Sequence, residues 1–337
     1  MRTYMKTAQI TRYSKQIHAE VIETTKPEIQ ANEVLVQVKE AAVNPLDLMN
    51  IDGSVKLIQN YRMPLVLGNE LSGVIEAVGS QVTGFEVGDA IYTRLPVPKI
   101  GAFAEYVVVS ADAIWHLPSN LNFKTGAAAA LTGLTAYQAL HEELQMKAGQ
   151  TLFIPGGSGS FGQMAIPLAK AMGLTVIVSG NAQAKSRTLA IGADQYLDYR
   201  TENYWDVLSK VDAVIDTLGT SAIAHELAII KPGGRLLSLK AGPNKQFAVN
   251  YGSPKWKQWL FGLAGAKLDR QARQAGVTYG FMFVRASGEQ LRDITTVIEA
   301  NDIVPAVDPK AFSLADVNEA LRYVKDGHPQ GKVLISF

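Results

Sequence analysis

Cysteine is absent from the 337 residues of this chain. That absence excludes disulfide bonds, thiol nucleophiles, iron–sulfur clusters and every zinc site that depends on cysteine ligands. Histidine is scarce as well, and no G-x-S-x-G nucleophile motif occurs. We expect the five scattered histidines, none of which stands at metal-ligand spacing from another, to be structural or exposed: His18, His116, His141, His225 and His328.

The chain also lacks an excess of charge and any long apolar run. Lysine and arginine number 32 against 31 acidic residues, and the resulting net charge of +1 is dispersed, which argues against a nucleic-acid partner. No apolar run approaches the length of a membrane span, and residues 1–6 contain no apolar signal core. We therefore expect a cytoplasmic protein without a membrane partner.

The chain has two parts that differ in their sequence pattern. Short strands separated by glycine turns fill the first part, to about Leu121, and predict a small barrel. From Lys124 onward, near-continuous apolar strands alternate with helices, which predicts a doubly wound parallel sheet covered on both faces. The last strand of that sheet, predicted over 279–284, would leave an apolar edge, so we expect it to pair across a homodimer.

A basic, partly amphipathic helix is predicted over 256–274, and it carries Trp256 and Trp259. Two interpretations are available for this helix. We prefer a lid or a helix that packs on the core to a surface for a partner.

The second part of the chain is organised around residues 151–170. Their pattern predicts a strand, a glycine cluster and a helix. Gly157, Gly159 and Gly162 fit G-x-G-x-x-G in this context. The N-terminus of a helix offers free N–H groups and partial positive charge, and glycine lets a pyrophosphate approach the backbone. We predict a dinucleotide site here; the alternative is a plain glycine loop.

The same region lacks acidic residues. A fold that selects NAD places a carboxylate about 20 residues past the glycines, to bind the ribose 2′-OH, yet residues 157–193 contain no Asp or Glu. Ser179, Asn181 and the cation of Lys185 are instead suited to a 2′-phosphate. NADP(H) is therefore favoured over NAD(H), with an ordinary exposed lysine as the alternative for Lys185.

Several motifs keep the order and spacing of a known family. Residues 64–79, with Gly68-Asn69-Glu70, then 85–89, the glycine loop, 189–194 and 331–334 resemble the medium-chain dehydrogenase/reductase superfamily, and most of all its zinc-independent quinone oxidoreductases and enone reductases. The resemblance implies a GroES-like substrate domain from residues 1–122 and 302–337, and a Rossmann NADP-binding domain from 123–301. Zinc-dependent members have Gly-His-Glu where this chain has Asn69, so we expect no metal.

The resemblance also implies a role for individual residues. Asn44 is expected near the nicotinamide and the substrate, and the glycine loop at the pyrophosphate. Further positions are expected at the nicotinamide side (Thr132, Thr135), at the pyrophosphate (Gly159, Ser160, Phe161), near the 2′-phosphate (Ser179, Lys185, Tyr199), along the cofactor groove (Leu218, Leu239) and at the border of the cleft (Phe281, Phe283).

One position departs from the family pattern. Relatives often have Tyr or Lys five residues after Asn44, whereas this chain has Met49, which cannot protonate an enolate. Tyr61 is a substitute donor or simply a core or surface tyrosine, and water is the remaining proton source. Asp47 and Asn69 either line the pocket or form local hydrogen bonds.

We therefore expect an NADPH-dependent, zinc-independent enzyme that transfers hydride to a quinone or to an α,β-unsaturated carbonyl compound. A non-catalytic NADPH-binding or regulatory protein of the same fold is the alternative. A metal-free alcohol dehydrogenase is a weaker third interpretation.

Overall fold

The computed structural model describes residues 4–337, so part of the N-terminal segment from which the cytoplasmic expectation was drawn lies outside the described residues. The strands are β1 (Tyr4–Ile10), β2 (Glu20–Thr25), β3 (Glu33–Val43), β4 (Leu65–Val66), β5 (Glu70–Val78), β6 (Ala90–Arg94), β7 (Tyr106–Ser110), β8 (Ile114–His116), β9 (Thr151–Ile154), β10 (Thr175–Gly180), β11 (Gln195–Asp198), β12 (Val211–Asp216), β13 (Ile230–Ser238), β14 (Thr278–Phe281), β15 (Phe312–Ser313) and β16 (Val333–Ser336). The α-helices are α1 (Pro45–Asp52), α2 (Phe123–Gln138), α3 (Ser160–Ala171), α4 (Lys185–Ala190), α5 (Tyr204–Val207), α6 (Ile223–Ile229), α7 (Lys245–Asn250), α8 (Lys255–Gln274), α9 (Gly288–Ala300) and α10 (Val317–Asp326). Within the described residues, every helix is too short or too polar to cross a lipid bilayer.

The chain divides into two compact units. One comprises the residues up to Leu134 together with Arg285–Phe337, and the other is Thr135–Val284. In this division by compactness, α9 falls in the first unit. The domain boundaries expected from the sequence, at 122/123 and 301/302, stay a prediction. A buried tyrosine of β6 connects α9 to this unit: the Tyr92 hydroxyl donates to the Leu291 carbonyl of α9 at 2.9 Å.

The first unit is built on β3, the longest strand of its larger sheet. That sheet has the strand order β15-β16-β3-β5-β6-β8, with β7 also paired to β3, and a three-stranded sheet has the order β2-β1-β4. β16 comes from the C-terminal end of the chain and runs antiparallel to β3, with Leu334 opposite Ala42. β5 runs antiparallel on the other side of β3, with Glu70 opposite Ala42 as well. Three distant segments therefore meet at one point of β3.

The second unit holds a parallel sheet of six strands in the order β11-β10-β9-β12-β13-β14. Every neighbouring pair in it is parallel, so the carboxyl ends of all six strands lie along one edge of the sheet. Ligands of such sheets bind outside that edge. β14 is the edge strand beside β13, as the homodimer prediction requires, but that prediction remains to be tested.

Candidate active site

The glycine loop of the second unit connects β9 to α3. Gly159 is the N-cap residue of α3, and a Cβ added to it would meet nothing within 4 Å. A Cβ on Gly162 would instead lie 1.7 Å from the Gly157 carbonyl oxygen, so Gly162 is needed for the loop to pack against its own helix. Gly157 is constrained in the same way by Ile154. The loop is thus closed on its inner side and open at Gly159.

The open side of this loop suits a diphosphate. α3 has 12 residues and no acidic residue in its first turn, and the first backbone N–H groups of a helix have no partner within it. Ser160 and Phe161, the first two residues of α3, are half-buried, and Gly159 is exposed. Partial positive charge and free N–H groups therefore face the space above Gly159, and these residues fit a pyrophosphate.

Ser179 lies near the carboxyl end of β10 and Asn181 directly follows that strand, but the acceptor atoms of both side chains already take part in local hydrogen bonds. The Ser179 hydroxyl accepts a hydrogen bond from the Gly156 N–H at 3.2 Å. The Asn181 side chain caps the next turn by accepting from the Ala184 N–H at 3.1 Å. Their acceptor atoms shape the backbone around the predicted ribose site, and only the Ser179 hydroxyl proton and the Asn181 amide group remain to donate to a ligand.

Cations and an aromatic ring lie at the same end of the sheet. Lys185, the first residue of α4, and Tyr199 are exposed. Arg187, which the sequence analysis missed, reaches back to the glycine loop, where its guanidinium donates to the Ser158 carbonyl at 3.3 Å. The signal was present in the sequence, because Arg187 follows Lys185 by two residues within the same acid-free segment.

Leu218 and Leu239 follow β12 and β13; their place in a cofactor groove stays a prediction. Both are positioned through Asp216, the last residue of β12: its carboxylate accepts from the Leu218 N–H at 2.7 Å, and its carbonyl accepts from the Leu239 N–H at 2.9 Å. The carboxylate also accepts from the Ser238 hydroxyl at 2.5 Å. Asp216 is fully buried and organises this corner of the sheet.

A second buried carboxyl group, which the sequence did not reveal, lies near Asp216. Glu226 of α6 is fully buried, and burial raises the pKa of Glu226 to about 9, with a further contribution from the Asp216 charge. Glu226 is therefore protonated at neutral pH and is a hydrogen-bond donor facing Asp216. Two carboxyl groups in one apolar site avoid repulsion by sharing a single negative charge.

The remaining expected positions of the second unit are aromatic or polar. The ring of Phe281 packs edge-on against Phe247 of α7, with 5.1 Å between the ring centroids. The ring of Phe283 packs against Tyr251, the C-cap residue of α7, with 6.3 Å between the centroids. Thr135 is buried. In the first unit, Thr132 is also buried, and its hydroxyl donates to the Ala128 carbonyl at 3.0 Å.

Asn44 lies in the first unit, at the point where β3 meets β5 and β16. Its amide oxygen accepts from the Lys332 ammonium at 2.7 Å, and its amide nitrogen donates to Glu70 at 2.9 Å. Lys332 also lies 2.8 Å from the Glu70 carboxylate. All three side chains are buried, so the orientation of the Asn44 amide is fixed by a buried ion pair.

Asp47 and Asn69 complete this cluster through local hydrogen bonds. Asp47 is fully buried and accepts from the Asn44 N–H at 2.8 Å and from the Asn69 amide at 2.7 Å. Burial raises the pKa of the Asp47 carboxyl to about 7. The Asn69 amide is thus engaged in a local hydrogen bond with Asp47. No group of three metal-ligating side chains occurs in the part of the chain that the structure describes.

Tyr61 and Met49 are the two residues considered in the sequence analysis as sources of a proton for the product: Tyr61 as a substitute donor, and Met49 as the residue at the usual donor position. Tyr61 is buried, and its hydroxyl donates to the Val97 carbonyl at 2.7 Å. Met49 is 40% exposed on α1. The hydroxyl proton of Tyr61 is thus engaged with the backbone, and a catalytic role for this residue would require that hydrogen bond to break.

Comparison with known proteins identifies relatives over almost the whole chain. Residues 30–119 match the alcohol dehydrogenase GroES-like domain, and residues 191–335 match the family described as zinc-binding dehydrogenase. The chain is 31% identical to the 2-methylene-furan-3-one reductase of Solanum lycopersicum over 92% of this chain and 73% of that protein. It is 30% identical to the mitochondrial NAD(P)H oxidoreductase RTN4IP1 of Danio rerio over 99% of this chain and 92% of that protein.

Solved structures agree with this assignment. The quinone oxidoreductase from Coxiella burnetii superposes with a TM-score of 0.83 at 26% identity, and 99% of each chain is covered. The predicted architecture, a GroES-like domain with a Rossmann-type parallel sheet, is confirmed, and the relatives support an NAD(P)H-dependent oxidoreductase activity. The chain belongs to the medium-chain dehydrogenase/reductase superfamily, among relatives that include quinone oxidoreductases and enone reductases.

Proposed function

We propose that the protein transfers a hydride from NADPH to a small electron-poor acceptor, either a quinone or an α,β-unsaturated carbonyl compound. The observation that carries the preference for NADPH is the edge of the sheet beyond β10. Lys185 and Arg187 lie there, and residues 157–193 contain no carboxylate. Cations bind a ribose 2′-phosphate, whereas a carboxylate at this edge would repel it and select NAD(H).

The residues that would hold the cofactor can be grouped by the part of the cofactor that each would contact. The N–H groups at the start of α3, past the open Gly159, are suited to the pyrophosphate. Leu218 and Leu239 form apolar walls at the ends of β12 and β13. We propose the remaining contacts from the family resemblance: Asn44, Thr132, Thr135, Phe281 and Phe283 toward the nicotinamide, and Ser179, Asn181, Lys185 and Tyr199 toward the 2′-phosphate.

The bound dihydronicotinamide would supply the hydride, and a quinone or the β-carbon of an enone would accept it because oxygen takes up the negative charge. Asn44 holds a fixed orientation between Lys332 and Glu70, so it is suited to position the reactants without reorganising. Met49 offers no proton, and Tyr61 donates to the backbone. We therefore propose that water protonates the product.

The proposal requires no metal. Asn69 is a poor zinc ligand and already donates to Asp47, and the chain has no cysteine to complete a zinc site. The acceptors named above do not need a Lewis acid, because their own conjugation stabilises the developing charge.

Steady-state oxidation of NADPH by a panel of simple quinones and enones tests this function. We expect turnover with at least one acceptor class, a higher kcat/KM for NADPH than for NADH, and no effect of a chelator. The same panel run with simple alcohols and NADP+ separates this function from a metal-free alcohol dehydrogenase, because oxidation of the alcohols would favour the latter.

A non-catalytic NADPH-binding protein is the second candidate, and the residue that favours it is Met49. The thioether of Met49 cannot protonate a product. Tight binding of NADPH with no turnover across the whole panel would select this candidate over the enzyme.

We also propose two properties of the protein in the cell. The free edge of β14 would pair with the same strand of a second copy to form a homodimer, which sedimentation equilibrium would reveal. The protein would act in the cytoplasm, and cell fractionation tests that location.

A further inference from the structure

Helix α8 turns an apolar face to solvent. Its buried side consists of Phe261, Gly265, Leu268 and Ala272, which repeat at intervals of four and three residues. Trp256, Trp259 and Leu263 also recur at helical spacing, but on the opposite side, and they are 60%, 67% and 58% exposed. The sequence predicts a helix that packs on the core through its apolar residues. The structure instead leaves the two tryptophans in solvent.

The same face is strongly basic, although the whole chain is almost neutral. Lys255, Lys267, Arg270 and Arg273 are exposed, whereas Lys257 lies four residues before Phe261, on the buried side of the helix. α8 contains a single acidic residue, Asp269. Asp269 accepts a hydrogen bond from Asn244 at 2.8 Å. No Asp or Glu occurs between Glu226 and Asp269. The positive charge of α8 is therefore not neutralised by acidic residues in the segment between Glu226 and Asp269.

A shallow depression of about 410 Å³ lies beside the exposed stripe. Lys245 and Lys255 line it together with Trp259 and Leu263. The depression thus combines cations with apolar surface. A negatively charged headgroup that is joined to a hydrocarbon region has the same combination.

A second copy of this chain is a poor occupant for the face. α8 has lysines at its N-terminal end and Lys267, Arg270 and Arg273 at its C-terminal end. In a two-fold interface the same patch meets itself, so positive ends would face positive ends whether the paired helices ran parallel or antiparallel. Charge complementarity calls for an anionic partner.

We propose that the outer face of α8 docks on the surface of an anionic lipid bilayer. Tryptophan side chains favour the interface between headgroups and hydrocarbon, and flanking Lys and Arg residues are attracted to anionic lipids. α8 is 20 residues long, which gives it a length of about 30 Å along which to lie in the plane of the interface. This docking departs from the sequence expectation of no membrane partner, and it does not depend on the proposed reaction.

Co-flotation with vesicles of phosphatidylcholine and phosphatidylserine tests the proposal, with pure phosphatidylcholine vesicles as the reference. We expect binding to the mixed vesicles that is at least ~10-fold stronger than to the neutral ones and that weakens as salt is raised. A blue shift of tryptophan fluorescence should accompany it. Equal binding to both vesicle types, or no binding to either, would overturn the proposal.

Substitutions in α8 test whether this helix forms the contact with the vesicles. W256A/W259A/L263A and K267E/R270E should each weaken binding to the mixed vesicles by ~10-fold or more. L57A/V87A, which removes two exposed apolar side chains elsewhere, should bind as the parent protein does. Unchanged binding by the α8 variants would contradict the proposal, provided that circular dichroism shows them folded. A dimer that the triple variant abolishes, or binding to polyglutamate without binding to vesicles, would assign the face to a second copy or to an acidic protein instead.

Discussion

Lys332 and Glu70 form an ion pair in which the side chains are 3% and 0% exposed and the ammonium lies 2.8 Å from the carboxylate. The Glu70 carboxylate also accepts from the Asn44 amide and from the Leu131 N–H, at 2.9 and 2.6 Å. A buried charge with this many partners is fully satisfied only while all of them are present. The pair therefore fixes both the C-terminal strand and the Asn44 amide.

Removing Lys332 should destabilise the protein strongly. K332A leaves the Glu70 charge buried without its counterion, which costs about 3–5 kcal/mol, and urea unfolding measures the loss. K310A, which removes a lysine from the exposed pair with Glu319, should leave the free energy of unfolding nearly unchanged. If the two variants were equally stable, the Glu70 carboxylate would not depend on Lys332.

Two glycines of one loop should respond to alanine in opposite ways. G159A adds a methyl group to open space, so the protein should fold with an unchanged Tm but bind NADPH at least ~10-fold more weakly, because the methyl group occupies the predicted pyrophosphate position. G162A forces a Cβ toward the Gly157 carbonyl and should lower the Tm. Calorimetry and fluorescence titration with NADPH measure the two effects. Normal NADPH affinity in G159A would contradict the pyrophosphate assignment.

Cation removal beyond β10 should affect NADPH and spare NADH. K185A and R187A should each weaken NADPH binding by roughly 10-fold, which is the contribution of one charge-assisted hydrogen bond, while the Kd for NADH stays nearly constant. K147A, an exposed lysine outside this region, serves as the control. Equal losses for both coenzymes would show that these cations do not contact a 2′-phosphate.

Stability should depend on pH through Glu226. The pKa of the Glu226 carboxyl is raised in the folded state from 4.5 to about 9. Its contribution to stability is therefore complete below the pKa of the unfolded state, and it is lost as pH rises through the pKa of the folded state. E226Q keeps a donor toward Asp216 without titrating, and its Tm should therefore fall less than that of the parent protein between pH 5 and pH 9. Each unit of pKa shift corresponds to about 1.4 kcal/mol. The exposed E202Q variant should keep the parent profile, and a parent profile in E226Q would contradict the assignment.

Local patterns account for the parts of the fold that were predicted correctly. The alternation of apolar strands and helices, and the glycines at the start of α3, are properties of neighbouring residues and can be recognised in the sequence. Contacts between distant residues cannot. Asn44 and Lys332 are 288 positions apart, and their pairing depends on β16 returning to β3. Glu226 sits in an ordinary helical segment, and only burial raises its pKa.

The contacts of α9 and the exposed face of α8 show the same limit. α9 looks like the last helix of an alternating α/β domain, but Tyr92 of β6 binds its Leu291 carbonyl, and this contact lies outside any local pattern. The helical period of α8 is visible in the sequence, yet the period alone does not tell which of its two apolar faces is buried. The structure buries the smaller side chains around Phe261 and exposes the tryptophans.

The most direct test of the proposed function follows the hydride itself. NADPH deuterated at C4 of the nicotinamide is incubated with the protein, a chelator and an enone, and the product is examined by mass spectrometry and NMR. We predict one deuterium at the β-carbon of the reduced product, and a rate with NADPH at least ~10-fold above that with NADH, in keeping with one charge-assisted contact to the 2′-phosphate. A full panel of enones and quinones that remains unreduced while NADPH binds tightly would contradict the account.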